Sequence, residues 1–345
     1  MDRKRYNEID LLRVFGIIGV IIIHILTYNL TGPISRFFWN YLQFVVIAFV
    51  FCSGFVLSVV YKNSFSTISQ TLSWYKKRFI RLVIPFYIYL VAHFAFWILF
   101  PNIFSGLGLN NNPNFFVKSV LFIGGTNINW LPLIFLQLMF LFPFFTHWIN
   151  KKKILFVYIF FSVFITLIFT FFQFPYNHYQ LVMWVPWSLV LILAIFLAGK
   201  EKLDKTILQT NKRYLFFGLI TFIGFLVFSF YNIYVEKSLN FYDNKYPPGF
   251  YYLFFGISLT CFFLVIAKMR IWENETIKKI YYFISKNSYQ IFFIHYIILD
   301  AVLVVSKKIV FINNPIIQFI IIFFPSLFIA LIFEKLLKLR KKKVV

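Results

Sequence analysis

Hydrophobic residues come in runs of about twenty along the whole chain, separated by short polar clusters. Each run is long enough to cross about 30 Å of hydrocarbon as a helix. Ten spans are expected, near 11–30, 37–61, 79–100, 131–149, 153–174, 181–199, 214–235, 250–268, 288–306 and 311–337. The pattern predicts an all-α polytopic membrane protein with one integral-membrane domain over 1–345, no internal repeat and no appended soluble domain. Two connections are longer. "YKNSFSTISQTLSWYKKR" (61–78) is polar and basic, and "PNIFSGLGLNNNPNFFVK" (101–118) has the Gly, Asn and Pro content of a loop. Ser119 to Trp130 reads as a re-entrant or interfacial piece. No small-residue cleavage site follows the first run, so it is expected to be retained as a span rather than removed as a signal peptide.

Composition agrees, with 61% hydrophobic residues and a mean hydropathy of +0.80. The 52 Phe and 21 Tyr suit lipid-facing and packing roles. Charge changes the picture more. A net charge of +23 would suggest nucleic acid in a soluble protein. Here the basic residues sit at span ends, where they set topology and face anionic lipid, so the bilayer is the expected partner and nucleic acid is not. With the N-terminus in the cytoplasm, 28 of the 34 Lys and Arg fall on the cytoplasmic side. The opposite orientation reverses that bias, so both termini are expected to be cytoplasmic in a multi-pass plasma-membrane protein. Cys52 and Cys261 both lie inside apolar runs and suggest neither a disulfide nor a metal site; no metal is expected.

Three stretches carry candidate chemistry. In "EIDLLRVFGIIGVIIIHIL" (8–26), Arg13 stands at the mouth of the first span and His24 lies deep within it. Eleven residues of helix turn through about 1100°, about 20° past three full turns, so both side chains share one face, about 16.5 Å apart along the axis. An ionisable group inside a span usually faces the bundle interior or a wet cavity, and a neutral imidazole suits a general base. Spacing alone also allows a buried structural histidine beside one more topology charge. In "WYKKRFIRLVIPFYIY" (74–89), Arg78 and Arg81 share a face ahead of Pro85, with Lys76 and Lys77 adding positive field. Grouped arginines match phosphates, and they equally obey the positive-inside rule. In "SKNSYQIFFIHYIILD" (285–300), His295 lies about two turns into the ninth span, with Asn287 and Ser288 as candidate caps of its cytoplasmic end. His93, in the third span, reads best as a core histidine.

Taken in order, "EIDLLRVFGIIGVIIIH", "VFCSGFVLS" (50–58), "KKRFIRLVIPFY" (76–87), "WLPLIFLQLMFLFP" (130–143) and "SKNSYQIFFIHYIIL" (285–299) resemble the acyltransferase 3 family of integral-membrane acyltransferases from end to end. Arg13 and His24 match the family's arginine–ten residues–histidine spacing, and Arg78 and Arg81 match its third-span arginine pair. The resemblance implies transfer of an acyl group, usually acetyl, from cytoplasmic acyl-coenzyme A to a hydroxyl, usually on an outside or exported glycan. Within the family the chain is most similar to stand-alone Gram-positive members of the intercellular adhesion protein C type, linked to O-succinylation of poly-N-acetylglucosamine. It departs from the members with a fused extracellular hydrolase-like domain, so hand-over would need a separate partner such as a polysaccharide synthase complex.

On this reading acyl-coenzyme A is a donor substrate and no cofactor is required. Arg78, Arg81 and Arg13 meet its phosphates, and His24 is the base, acting directly or through an outer-face tyrosine (Tyr176, Tyr179, Tyr242 or Tyr246). His295 is expected at the substrate, with Glu8 or Asp10 in support; Asp10, three residues before Arg13, can pair with it. The rival classes are a transporter or flippase for a polyprenyl-linked glycan and an export subunit of a polysaccharide synthase complex. The chain lacks the paired Gly/Pro-broken spans that mark many transporters.

Overall fold

The computed structural model describes residues 5–61, 64–101, 113–126, 128–149, 151–172, 179–201, 207–269, 272 and 274–342. Among them ten helices are long and apolar enough to cross a membrane, and there is no strand. The first span is α1 (Asn7–Thr27). The second, Pro33–Tyr61, joins α2 (Pro33–Tyr41) and α3 (Val45–Tyr61) through the 3-10 turn Leu42–Phe44. Then come α4 (Ile68–Leu99), the short α5 (Pro113–Val120), α6 (Trp130–Trp148) and α7 (Lys152–Phe171). The remaining elements are α8 (Tyr179–Val182) leading into α9 (Trp184–Glu201), then α10 (Ile207–Tyr234), α11 (Phe250–Ala267), α12 (Glu275–Ser306) and α13 (Pro315–Lys342).

All ten expected spans are present, and two begin well before their apolar runs. Helix α4 starts at Ile68, where Thr67 accepts a hydrogen bond from the Gln70 backbone N–H, so most of the basic connection after Tyr61 is helix. Helix α12 starts at Glu275, capped by Asn274, whose Oδ1 accepts from Thr276 and Ile277 N–H at 2.9 and 3.3 Å. Asn287 and Ser288 are therefore interior residues and cap nothing. Asn287 Nδ2 donates to the Phe283 carbonyl and to Glu334 on α13, and Ser288 Oγ donates to the Ser285 carbonyl. Hydropathy marks where lipid begins, whereas a helix continues into the aqueous layer as long as its ends are capped.

Helix α1 is central and packs against α3, α11, α12 and α13. Its approach to α3 is close: a Cβ on Gly19 would lie 2.7 Å from Val45 Cγ1. Small residues at such a crossing let dispersion contacts replace the hydrophobic drive that is missing between helices in lipid. At the periphery the surface is apolar. On α7 the rings of Phe156, Phe160 and Phe164 are exposed, as a lipid-facing helix requires. The described residues between Ser119 and Trp130 form a compact turn. Asn129 Nδ2 donates to the Ser119 and Gly124 carbonyls, and Gly125, at φ +83°, passes so close to Ser119 that a side chain would collide with it.

Candidate active site

The 3.6-residue period puts Arg13 and His24 on one face of α1, and each meets a different environment there. Arg13 is half-buried, and its Nη2 donates to the Cys52 carbonyl on α3 at 3.4 Å. It lines a cavity of about 260 Å³ between α1, α3, α4, α6 and α12. Arg78, Arg81 and Lys286 line the same cavity, together with apolar residues such as Leu57, Leu131 and Phe135. Three arginines and Lys286, whose ammonium pairs with Glu334 on α13 at 2.7 Å, thus border one space whose remaining wall is largely apolar. The Arg78 guanidinium lies 4.8 Å from the Tyr61 ring centroid and 5.8 Å from that of Trp74, which steadies it without neutralising it. Lys76 and Lys77 are exposed and are not part of the cavity wall.

Phe292, on α12, also borders the cavity, and its ring centroid is 6.2 Å from that of His24. Phe292 therefore stands next to both the cationic cavity and the histidine. His24 Nδ1 is 2.9 Å from Nε2 of the fully buried His295, and His24 Nε2 is 2.9 Å from the Tyr296 hydroxyl. The hydrogen-bond network assigns the tautomers. His295 Nδ1 faces the Ile291 carbonyl at 3.3 Å, and a carbonyl only accepts, so this nitrogen carries the proton. His295 Nε2 is then an acceptor, His24 Nδ1 donates to it, and His24 Nε2 is left with a lone pair that accepts from Tyr296. The arrangement is a base nitrogen whose opposite nitrogen is held in one tautomer by a buried partner.

The structure thus brings His24 and His295 together across the bundle and gathers Arg13, Arg78 and Arg81 around one cavity. His295 stands behind His24 rather than in the cavity wall. Asp10 does not pair with Arg13: its carboxylate takes Arg5 at 2.6 Å and Ser285 Oγ at 2.5 Å. Sharing a helix face allows a pair, but Asp10 is buried toward α12 and Arg5 folds back onto it. Glu8 belongs to a separate buried cluster, 3.4 Å from Lys268, which also holds Glu201 at 2.7 Å and ties α1 to α9 and α11. His93 pairs with Asp300 at 3.1 Å. Among the outer tyrosines, Tyr246 packs against Tyr179 and Tyr242, while Tyr176 lies outside the described residues.

Sequence reasoning missed Tyr296 and the place of Lys286 in the cavity. Tyr296 had one signal, its position next to His295, since neighbours on a helix differ by only about 100° and can flank one inserted side chain. Lys286 looks like any other topology charge.

The model of the acyltransferase 3 family, described as an acyltransferase domain, matches residues 6–335. Compared with the curated proteins and with the solved structures, the chain finds no match. The family match takes in all ten spans, both histidines of the pair and all three arginines of the cavity. The chain belongs to the acyltransferase 3 family and is a multi-pass membrane acyltransferase.

Proposed function

We propose that the protein is an O-acyltransferase that moves an acyl group, acetyl or succinyl, from cytoplasmic acyl-coenzyme A to a hydroxyl of a cell-surface or exported polysaccharide. The observation that carries this reading is the placement of His24, its Nε2 bearing a lone pair, next to Phe292 on the wall of a cavity bordered by three arginines and Lys286. The basic mouth faces the cytoplasm, in keeping with the Lys and Arg bias. Arg13, Arg78, Arg81 and Lys286 hold the donor's phosphates, where forked guanidinium groups match phosphate oxygens. The apolar wall takes the pantetheine arm. The thioester arrives beside His24, past Phe292.

The acceptor hydroxyl comes from the opposite side and takes the place of the Tyr296 hydroxyl on His24 Nε2. Its oxygen attacks the thioester carbonyl as His24 removes its proton. The C–O bond forms, the tetrahedral oxyanion collapses, the C–S bond breaks, and His24 returns the proton to the leaving thiolate. His295 keeps the His24 ring in the tautomer and orientation this needs. No cofactor takes part.

Labelled acyl-coenzyme A tests the reading. Purified, folded protein should hydrolyse the donor slowly or exchange its thiol, and should transfer the label to a glycan hydroxyl. Absence of all three with both acetyl and succinyl donors would leave only the transport and export classes. Orientation has its own test. A cysteine placed in 237–248 should react with an impermeant reagent on intact cells and one placed in 207–212 should not; the reverse pattern would overturn the inside–outside assignment.

A further inference from the structure

Lys245 lies in the segment between α10 and α11, at the end of the bundle opposite the arginine cavity, and is only 5% exposed. Its ammonium donates to Gln43 Oε1 at 3.1 Å and lies 4.8 Å from the Trp130 ring centroid and 5.2 Å from that of Tyr246. Among the described residues no carboxylate pairs with it. Glu8 and Glu201 pair with Lys268, as a buried cation generally requires. An ammonium has three donors and the Gln43 amide oxygen takes one. Lys245 is also within electrostatic reach of His24. Burial pulls its amine down to about 7, so that it carries its charge in only part of the population near neutrality.

Acyl transfer needs a donor that is ready where charge develops on the former carbonyl oxygen. Around His24, His295 is committed to its Nδ1, and Tyr296, which gives up Nε2 to the acceptor hydroxyl, is a neutral phenol, so Lys245 is the cationic donor on this side of the bundle. We propose that Lys245 is a catalytic residue that donates hydrogen bonds to the tetrahedral oxyanion of the acyl-transfer step, held over the reacting carbon by Gln43 and the Trp130 and Tyr246 rings. The charge of the oxyanion supplies the counter-ion the resting lysine lacks. The donor proton stays on Lys245: when the oxyanion collapses to the ester and the thiolate leaves, His24 returns its proton to sulfur and the ammonium is unchanged. This inference rests on His24 as the base.

The experiment compares purified wild type, Lys245→Met and His24→Ala in transfer from acetyl- and succinyl-coenzyme A, with donor binding measured separately. Lys245→Met should lower kcat about 10²–10³-fold for both donors, with donor affinity within a few-fold of wild type. Loss with the succinyl donor alone would overturn the proposal, because Lys245 would then be reading the distal carboxylate of the acyl group. Normal turnover per folded molecule with lower yield would also overturn it and leave Lys245 a packing residue. If His24→Ala turns over normally, the base assignment itself fails; if it is inactive while Lys245→Met is normal, only the lysine proposal fails.

The pH profile of kcat/KM is compared between wild type and Lys245→Met. Lys245 contacts Gln43, Trp130 and Tyr246, and His24 is the titratable group of the reaction within its electrostatic reach. Deprotonating His24 can only raise the rate as pH rises, so a fall cannot come from it. Burial lowers the Lys245 amine, so loss of its proton predicts a decline in kcat/KM on the alkaline side that Lys245→Met should lack; the same alkaline decline in Lys245→Met would overturn the proposal.

Discussion

The two ends of one helix face make opposite uses of the same membrane. At the basic mouth, Arg13 borders a cavity with Arg78, Arg81 and Lys286; Glu334 pairs with Lys286 from α13, and no carboxylate lines the cavity beside the three arginines. Three turns farther on, His24 sits against His295 and Tyr296, in a chain of neutral groups that ends on the Ile291 carbonyl. The difference is one of solvation. Cations beside an open cavity keep water and can exchange it for phosphate at small cost. The histidine pair, buried among rings, is instead neutral and partnered, because each unsatisfied polar atom there would cost about 1–3 kcal/mol. The first region therefore serves binding and the second serves proton transfer, and Phe292 stands next to both.

The comparison predicts that damage at the two ends falls on different kinetic constants. The largest effect should come from His24→Ala, about 10²–10⁴-fold in transfer per correctly inserted molecule, with donor affinity nearly unchanged. Equal loss of donor affinity would break the division of labour, and near-normal transfer would end the catalytic reading. Next come Arg78→Ala and Arg81→Ala, each expected to cost roughly 1.5–3 kcal/mol of donor binding, about 10–150-fold in Kd, measured by titration with acyl-coenzyme A. Lys in place of either should restore insertion better than binding, because it keeps the charge and loses the fork.

Tyr296→Phe sharpens the other end. If the phenol only caps the resting base, its removal should change kcat by no more than about tenfold, roughly one hydrogen bond, and the acceptor KM should not rise. A loss as large as that of His24→Ala would make Tyr296 a member of the proton path. The smallest effect expected is that of Tyr61→Leu. It removes one ring from beside Arg78 and should weaken donor binding by about 0.5–1 kcal/mol while leaving the rate at saturating donor untouched.

Much of this was legible in the chain. Ten spans follow from run length, because hydrocarbon thickness sets one number that every crossing helix must meet. The shared face of Arg13 and His24 follows from helical period alone. The ends of α4 and α12 were not legible from hydropathy, because Thr67 and Asn274 extend each helix into polar sequence. Asp10 shows the limit of local rules: its spacing from Arg13 permits a pair, and burial against Ser285 decides for Arg5 instead.

The sequence by itself determined which residues could do chemistry and at what depth, since composition, period and charge bias act along one chain. Only the tertiary structure decided which of them meet. His24 and His295 are 271 positions apart and share a hydrogen bond. Lys245 reaches Gln43 from 202 positions away. Helices in lipid associate through shape and a few polar contacts rather than a burial gradient, so no pattern along a single helix states which neighbour it will face.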